Sequence, residues 1–266
     1  MKYTLCETFE WLGKAAWNDI REAGASGLSF SEETITERNL LHLVRYYGDR
    51  VRIVAFDKHR EGLNGADWEW WIGRPGAWDG MRVQAKRINY PKRDNFPGLQ
   101  TKKAARTTNK RQIDLLIETS RTENLTPVYC FYVHTDGSLL ISGEHGCFIG
   151  HASTIKRIGE ISLGGLLPAI APWHCLVCGP DGGSVSGGTP TKRALQAVVE
   201  RVVFLGEESE SDLVARTREA LPGYVAMLQV PKAQLGVTQL DRLKAASRAL
   251  ERNIKGIVLI DIGGEG

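Results

Sequence analysis

Two segments of alternating polarity, joined by a short stretch rich in glycine and proline, constrain this sequence more than any other feature. The first reads GADWEWWI from residue 65, and the second reads MRVQAKRI from residue 81. Successive side chains of a β-strand point to opposite faces, so Asp67 and Glu69 share one face, as do Gln84 and Lys86. The GRPGAWDG between the segments has the composition of a turn. The sequence therefore predicts a β-hairpin with acids on one strand and Gln-x-Lys on the other.

The register of this hairpin decides which polar groups meet. Centring the turn at Gly76 and Ala77 places Asp67 opposite Lys86 and Glu69 opposite Gln84, with all four on one face. A shift of one residue would move the polar set of one strand to the other face. The pattern favours either a metal and phosphate site or a plain cross-strand salt bridge between Asp67 and Lys86.

The rest of the chain predicts helices and strands in mixed order. Apolar spacing indicates a helix within Met1–Ala25 and a second one after residue 30, with Thr34 as its N-cap and Glu37 completing a capping box. Further strands are expected at 51–56, 127–134, 224–230 and 254–262, and further helices at 112–120, 191–204, 207–221 and 240–252. This order predicts an α/β fold with a mixed sheet flanked by helices. We divide it into a core with N-terminal helices (1–140), a glycine-rich irregular segment (141–190) and a C-terminal α/β extension or small lobe (191–266).

Charge is uneven along the chain. The net charge of +3 over 266 residues is mild, but residues 86–111 contain nine basic residues and one acid, Asp94. Such a basic segment beside an acidic site is the electrostatic pattern of a protein that binds a polyanion, and a solvated basic loop is the alternative. Besides Lys86, the basic residues are Arg87, Lys92, Arg93, Lys102, Lys103, Arg106, Lys110 and Arg111.

Five cysteines are spread along the chain. Their odd number and wide spacing argue against a disulfide framework. Cys175 and Cys178 have the spacing of half a zinc site, which His145 or His174 would complete, and buried reduced thiols are the alternative. We find no apolar run long enough for a membrane span and no signal-peptide pattern in the first ten residues, so we expect a cytoplasmic protein.

An Asp on one strand, a Glu/Gln-x-Lys on the next, a Glu on the preceding helix and a following helix–strand pair together resemble the PD-(D/E)XK nuclease superfamily. Asp67, Gln84, Lys86 and Glu33 match this set, and the Gln-x-Lys form is similar to Mrr-type restriction endonucleases. The resemblance covers residues 30–134, about half of the chain, and implies a restriction-endonuclease-like core. Glu32 and Glu37 compete with Glu33 for the helix position, and the proline that usually precedes the aspartate is absent.

This resemblance implies a metal-dependent phosphodiesterase. Asp67 would be the main carboxylate ligand of Mg²⁺, with Mn²⁺ as its expected substitute, and Gln84 offers only a neutral amide oxygen. A second carboxylate, from Glu33 or Glu69, then becomes more necessary. Lys86 would orient the attacking water or contact the scissile phosphate.

The expected function is therefore that of a Mg²⁺-dependent DNA endonuclease acting on double-stranded DNA, and the resemblance implies defence against phage or foreign DNA. Two alternatives remain at this point: a nucleic-acid-binding module without catalysis, and a nuclease directed at RNA. A homo-oligomer or a regulatory partner is compatible with the sequence, and a membrane partner is not expected.

Overall fold

The hairpin predicted from the sequence lies within a seven-stranded mixed sheet. A computed structural model of the protein describes residues 3–56, 66–100, 110–137, 145–178, 188–203, 213–229, 237 and 254–263. The strands are β1 (Val51–Ala55), β2 (Trp68–Arg74), β3 (Ala77–Arg87), β4 (Thr126–Tyr132), β5 (Cys147–His151), β6 (Ile170–Pro172) and β7 (Gly256–Asp261). Their order in the sheet is β1-β7-β2-β3-β4-β5-β6. The expected α/β class with helices around a mixed sheet is confirmed.

Helices cover the sheet. They are α1 (Leu5–Ala25), α2 (Glu32–Tyr47), α3 (Gln112–Thr122), α4 (Ala152–Ile158), α5 (Leu163–Leu166), α6 (Pro190–Val203) and α7 (Gly223–Ala226). Short 3-10 helices occupy Pro97–Gln100, Leu167–Ala169, Trp173–Leu176 and Met227–Gln229. Within the described residues, no helix combines the length and apolar character needed to cross a membrane.

Strand β3 lies at the centre of the sheet, with three strands on each side. It runs antiparallel to β2 and parallel to β4, and β2 in turn runs parallel to β7. Every residue of β3 between its two ends is buried, including the polar Arg82, Gln84 and Lys86. Buried polar groups need partners, and those of β3 find them on the neighbouring elements.

The hairpin turn is one residue earlier than predicted. Arg74 pairs with Ala77, so Pro75 and Gly76 alone form the loop. Gly76 has a φ of 87°, and proline followed by a residue of positive φ is the combination typical of a type II turn. The predicted register is therefore wrong by two residues, and Glu69 pairs with Arg82 rather than with Gln84. Because the shift is even, each side chain keeps the predicted face.

Helix α2 also begins earlier than predicted. Its N-cap is Ser31, whose side chain accepts a hydrogen bond from the backbone N–H of Thr34. Thr34 is therefore inside the helix and not its cap. Tyr132 of β4 shares a hydrogen bond of 2.7 Å with Thr36, which fixes the first turns of α2 over the sheet. This contact places Glu33 near the open end of the hairpin.

Three predictions for the second half of the chain are wrong. The segment expected to be irregular contains β5 and α4, because its alternation and its His151 N-cap are hidden among glycines. Residues 224–230, predicted as a strand, begin instead as α7 after Pro222 and continue as a 3-10 helix. Residues 213–221 contain turns and a bridge between Trp78 and Arg218, not a helix. The predicted helix 240–252 lies outside the described residues.

The predicted strand 254–262 is confirmed as β7, but its position is unexpected. It does not extend the edge of the sheet: it lies between β1, to which it is antiparallel, and β2, to which it is parallel. The three segments proposed from the sequence thus contribute strands to one sheet. As a result, residues near position 255 lie beside the hairpin.

Candidate active site

Asp67 anchors a polar cluster where β2 begins. Its backbone N–H donates to Val83, and its Oδ2 accepts hydrogen bonds from the Ala85 N–H (3.0 Å) and from Gln84 Nε2 (2.6 Å). Just before β2 starts, the carboxylate thus accepts a backbone hydrogen bond from β3 that a carbonyl of a neighbouring strand would otherwise accept. Burial raises the pKa of Asp67. The positive charge of Lys255, the hydrogen bond from the Ala85 N–H and the positive charge of Lys86 oppose that rise.

Gln84 and Gln112 connect Asp67 to Lys86. The Oε1 of Gln84 accepts a hydrogen bond of 3.0 Å from Gln112 Nε2, and Gln112 Oε1 accepts one of 2.8 Å from Lys86 Nζ. Gln112 is the first residue of α3, and the helix packs against β3 and β4. Burial lowers the pKa of Lys86, an effect that the charges of Asp67 and Glu32 oppose.

Lys255 brings Glu33 into the same cluster. Its Nζ contacts Oε1 of Glu33 and lies 3.3 Å from Oδ1 of Asp67, while its backbone N–H donates to the Asp67 carbonyl. Burial alone would lower the pKa of Lys255, but the carboxylates of Asp67 and Glu33 outweigh it, so the pKa is raised. Two carboxylates from separate elements therefore converge on one cation.

Glu32 and Glu37, the other two candidate acids of α2, have different surroundings from Glu33. Glu37 is exposed, whereas Glu32 is partly buried and its negative charge acts on Lys86 and Arg87. Glu33 remains the helix acid that reaches the Asp67 group through Lys255.

Glu69 has a different set of partners from those of Asp67. It is fully buried, accepts hydrogen bonds from Trp71 Nε1 and the Tyr224 hydroxyl, and lies 4.0 Å from Arg82 Nε. These contacts tie the hairpin to α7. Of the five predicted catalytic residues, Asp67, Gln84 and Lys86 form one hydrogen-bonded network, and Glu33 joins it through Lys255. Glu69 is held in a neighbouring, interior cluster.

Sequence reasoning missed Lys255 and Gln112. Lys255 lies beside Asp67 only because β7 is inserted next to β2. Gln112 carries no motif, although it is the first polar residue after the basic segment and starts a helix that follows the Gln-x-Lys strand. This position in the sequence is the single feature that could have indicated the role of Gln112.

The predicted nucleic-acid-binding residues divide into three groups. Lys92 and Arg93 are exposed on the loop after β3, and Arg87 is half-buried. Lys110 and Arg111 are exposed at the start of α3 and pair with Glu118 and Asp114. Lys102, Lys103 and Arg106 lie outside the described residues.

The cysteine prediction requires a correction. Cys6 of α1 and Cys178 form a disulfide, whereas Cys130, Cys147 and Cys175 are free thiols. In this state Cys178 cannot join Cys175 as a pair of zinc ligands, because its sulfur is bonded to Cys6. The two partners are far apart in the chain, and nothing in their sequence spacing indicates the pairing.

No curated protein and no solved structure shows significant similarity to this chain. One family model matches residues 5–262 and is described as a family of unknown function, DUF6615. The match covers all strands and helices described above. The chain therefore belongs to the DUF6615 family.

Proposed function

We propose that this protein is a metal-dependent nuclease that hydrolyses phosphodiester bonds of DNA, with a restriction-endonuclease-like core. One observation carries the proposal. Asp67, Gln84 and Lys86 form a continuous hydrogen-bonded network through Gln112, and Glu33 converges with Asp67 on a shared cation position. An acid pair beside a buried lysine has the components needed for hydrolysis of a phosphodiester.

The order of elements supports the same proposal. Helix α2, strand β1, the β2–β3 hairpin, helix α3 and strand β4 follow one another along the chain, and β3 runs parallel to β4. This is the helix, strand, hairpin, helix and strand sequence expected from the resemblance to PD-(D/E)XK nucleases. A likeness of fold alone does not establish chemistry, so the site residues carry the proposal.

The donor set fits Mg²⁺ or Mn²⁺. Asp67 and Glu33 both reach the ammonium of Lys255, so their oxygens face a common point. Gln84, the third predicted ligand, turns its Nε2 toward Asp67 and its carbonyl oxygen toward Gln112. The two carboxylates are hard oxygen ligands, the kind that these ions prefer. When bound there, the ion would supply positive charge for the phosphate and lower the pKa of a water molecule.

Lys86 provides the second positive charge. Its side chain is buried, and its Nζ is held by Gln112 at the edge of the carboxylate cluster. In this position the ammonium would contact the scissile phosphate and stabilise the charge that develops on it. Gln112 acts on the reaction through Lys86 and is thus a positioning residue.

The basic segment supplies the contacts to the DNA backbone. The exposed Lys92 and Arg93 follow β3 directly, so they extend from the strand that carries Lys86. Together with Arg87, Lys102, Lys103, Arg106, Lys110 and Arg111, they would bind phosphates in a salt-dependent manner. Cytoplasmic defence against foreign DNA is the biological role that the resemblance suggests for such an enzyme.

Plasmid cleavage tests this proposal. Supercoiled plasmid is incubated with the wild type and with folded Asp67→Asn and Lys86→Gln variants, in Mg²⁺, in Mn²⁺ and in EDTA. The exposed residues Asp49 and Lys14 provide matched controls, Asp49→Asn and Lys14→Gln. We expect metal-dependent cutting by the wild type and both controls, with losses of at least ~100-fold in the two site variants.

The other outcomes discriminate between the alternatives. Equal cutting by all five proteins would overturn the site. Binding of the plasmid without cutting in any metal would favour the non-catalytic DNA-binding module. Cutting of single-stranded or structured RNA in place of plasmid, with the same loss in the two site variants, would keep the chemistry and reassign the substrate.

A further inference from the structure

A second cluster of metal-ligating side chains, which shares no residue with the Asp67 site, lies where the start of α1 meets the segment after β6. Within the described residues, Cys6, Glu10 and Cys178 bring their ligand atoms within 4.8 Å of one another. Cys6 and Glu10 are one turn apart on α1, so they project from the same side of the helix. Cys178 follows the 3-10 helix Trp173–Leu176.

An imidazole lies beside this group, next to Glu10. His174 Nε2 lies 3.9 Å from Oε1 of Glu10, and its side chain is only 16% exposed. The backbone N–H groups of Val177 and Cys178 both donate to the His174 carbonyl at 2.9 Å. This tight turn holds His174 and Cys178 on the same side of the segment.

A second histidine lies beside the first. The rings of His145 and His174 are 5.6 Å apart between centroids. The buried Nδ1 of His145 has no hydrogen-bond partner among the described residues. A structural disulfide has no need of a carboxylate and two imidazoles around it, whereas a metal centre uses such groups as ligands and neighbours.

The donor types indicate the metal. Two sulfurs, one imidazole nitrogen and one carboxylate oxygen form a set that Zn²⁺ binds in tetrahedral geometry. Ligand atoms at ordinary zinc distances are about 3.3–3.8 Å apart in a tetrahedron. The 3.9 Å between His174 and Glu10 is already close to that spacing. Thiolates and imidazole also disfavour Mg²⁺, so this cluster differs in chemistry from the Asp67 site.

We propose that the reduced form of the protein binds one Zn²⁺ through Cys6, Cys178, His174 and Glu10, and that the Cys6–Cys178 disulfide is the metal-free state of the same site. A phosphine converts one state to the other: the S–S bond breaks, two thiols form, and phosphorus is oxidised to the phosphine oxide with oxygen taken from water. Each thiol then releases its proton to solvent as it binds Zn²⁺. A reducing cytoplasm would favour the thiol form.

Such a site would tie two distant parts of the chain together. Cys6 lies on α1 and Cys178 follows β6, so either the disulfide or the zinc ion holds the first helix against the far end of the sheet. Its occupancy is independent of any nuclease activity. The test therefore measures metal directly.

Zinc stoichiometry after reduction provides the test. The full chain is reduced with a phosphine, exchanged into oxygen-free buffer, loaded with ZnCl₂ and freed of excess metal, and the bound zinc is released into a chromophoric chelator. We expect about one zinc ion per chain in the reduced wild type and none in protein kept oxidised. Co²⁺ in place of Zn²⁺ should give the strong near-ultraviolet absorption of thiolate ligands.

Variants separate this site from its neighbours. Cys6→Ser and Cys178→Ser should abolish zinc retention, and Glu10→Gln and His174→Asn should weaken affinity by at least ~10-fold. Cys175→Ser, at the adjacent free cysteine, is the matched control and should bind as the wild type does. Glu10 is half-exposed, so its variant does not put the fold at risk.

Two results would overturn the proposal. One is a reduced wild type that retains no more zinc than a Cys6→Ser/Cys178→Ser double variant of equal melting temperature. The other is loss of zinc in Cys175→Ser with retention in Cys6→Ser, which would assign the metal to the Cys175/Cys178 pair. Neither result depends on whether the protein cuts DNA.

Discussion

The ammonium of Lys255 lies 3.3 Å from Oδ1 of Asp67 and also contacts Glu33, so a single lysine links the start of β2 to the first turn of α2. This cation occupies the position toward which both carboxylates point. A divalent ion binding the same carboxylates would compete with it. The lysine therefore balances the negative charge of these two carboxylates.

Replacement of this lysine should strengthen binding of divalent ions. In Lys255→Gln, we expect the concentration of Mn²⁺ that half-saturates the site to fall about 5- to 10-fold, because a competing charge is removed next to the two acids. Titration calorimetry of Mn²⁺ into the protein checks this, with Lys14→Gln as the control. Unchanged or weaker binding would show that the lysine does not compete with the ion.

Asp67 and Glu69, two residues apart in the chain, should respond in opposite ways to loss of charge. Burial raises the pKa of Asp67, so its folded-state pKa lies above its unfolded value. The ionised form of such a group opposes folding at pH values above the folded-state pKa. That penalty disappears as the pH falls through this pKa and the group becomes protonated. At pH 7, Asp67→Asn should thus keep or raise the free energy of unfolding, while cleavage is lost.

Glu69→Gln should instead destabilise the protein. Glu69 and Arg82 are both buried, and removing one charge of a buried pair costs roughly 3 kcal/mol or more. Urea unfolding at pH 7 measures both variants under the same conditions. If Asp67→Asn were the more destabilising of the two, the assignment of Asp67 to function and Glu69 to structure would be wrong.

Gln112 should affect the reaction through Lys86. Gln112→Met removes the carbonyl that accepts the Lys86 hydrogen bond, and the loss of a positioning partner typically costs about 10- to 100-fold. Without that acceptor the ammonium is less favoured, so the pKa of Lys86 should fall further and the alkaline limit of cleavage should move to lower pH. Pre-steady-state cleavage across pH gives both readouts. Gln196→Met, at a half-buried glutamine of α6, should leave the pH profile unchanged.

His151 should make the fold sensitive to acid. Burial lowers the pKa of His151 to about 4, against 6.5 for a free histidine. Its Nε2 donates to the Leu213 carbonyl and its Nδ1 accepts the Ser153 N–H, an arrangement that suits the neutral ring. Since the folded-state pKa is depressed, the stabilising contribution is complete above pH 6.5 and is lost as the pH falls toward 4.

The size of the loss of stability in acid follows from the lowering of the His151 pKa. At about 1.4 kcal/mol per pKa unit, up to about 3 kcal/mol of stability should disappear between pH 6.5 and pH 4. In His151→Gln, the free energy of unfolding should vary less with pH across that window. Parallel curves for wild type and variant would contradict the prediction.

Local patterns predicted the local parts of this structure. The alternation of residues 65–88 predicted the hairpin and the shared face of Asp67, Gln84 and Lys86, because a two-residue period needs no knowledge of distant contacts. The same holds for α1, whose apolar spacing lies within a single helix. The turn was misplaced by one residue, since Pro75–Gly76 and Gly76–Ala77 are both plausible centres in GRPGAWDG.

Long-range contacts were not predictable in this way. Lys255 and Tyr224 each meet the hairpin across well over a hundred residues, and no spacing rule links them to Asp67 or Glu69. The segment after residue 223 was misassigned for a related reason. Its β-prone composition favours a strand, but Pro222 starts a helical turn there and α7 packs its Tyr224 hydroxyl against Glu69.

The position of β7 has a consequence for how the protein is made. Val51 of β1 pairs with Ile260 and Trp68 of β2 pairs with Gly256, so the gap between β1 and β2 is filled only after the ribosome has added the residues up to 261. Until then, a nascent chain exposes two unpaired strand edges and carries Asp67 and Glu33 without Lys255. Pairings this distant in sequence make folding slow. Synthesis itself would thus delay assembly of the complete cluster until almost all of the described fold has emerged.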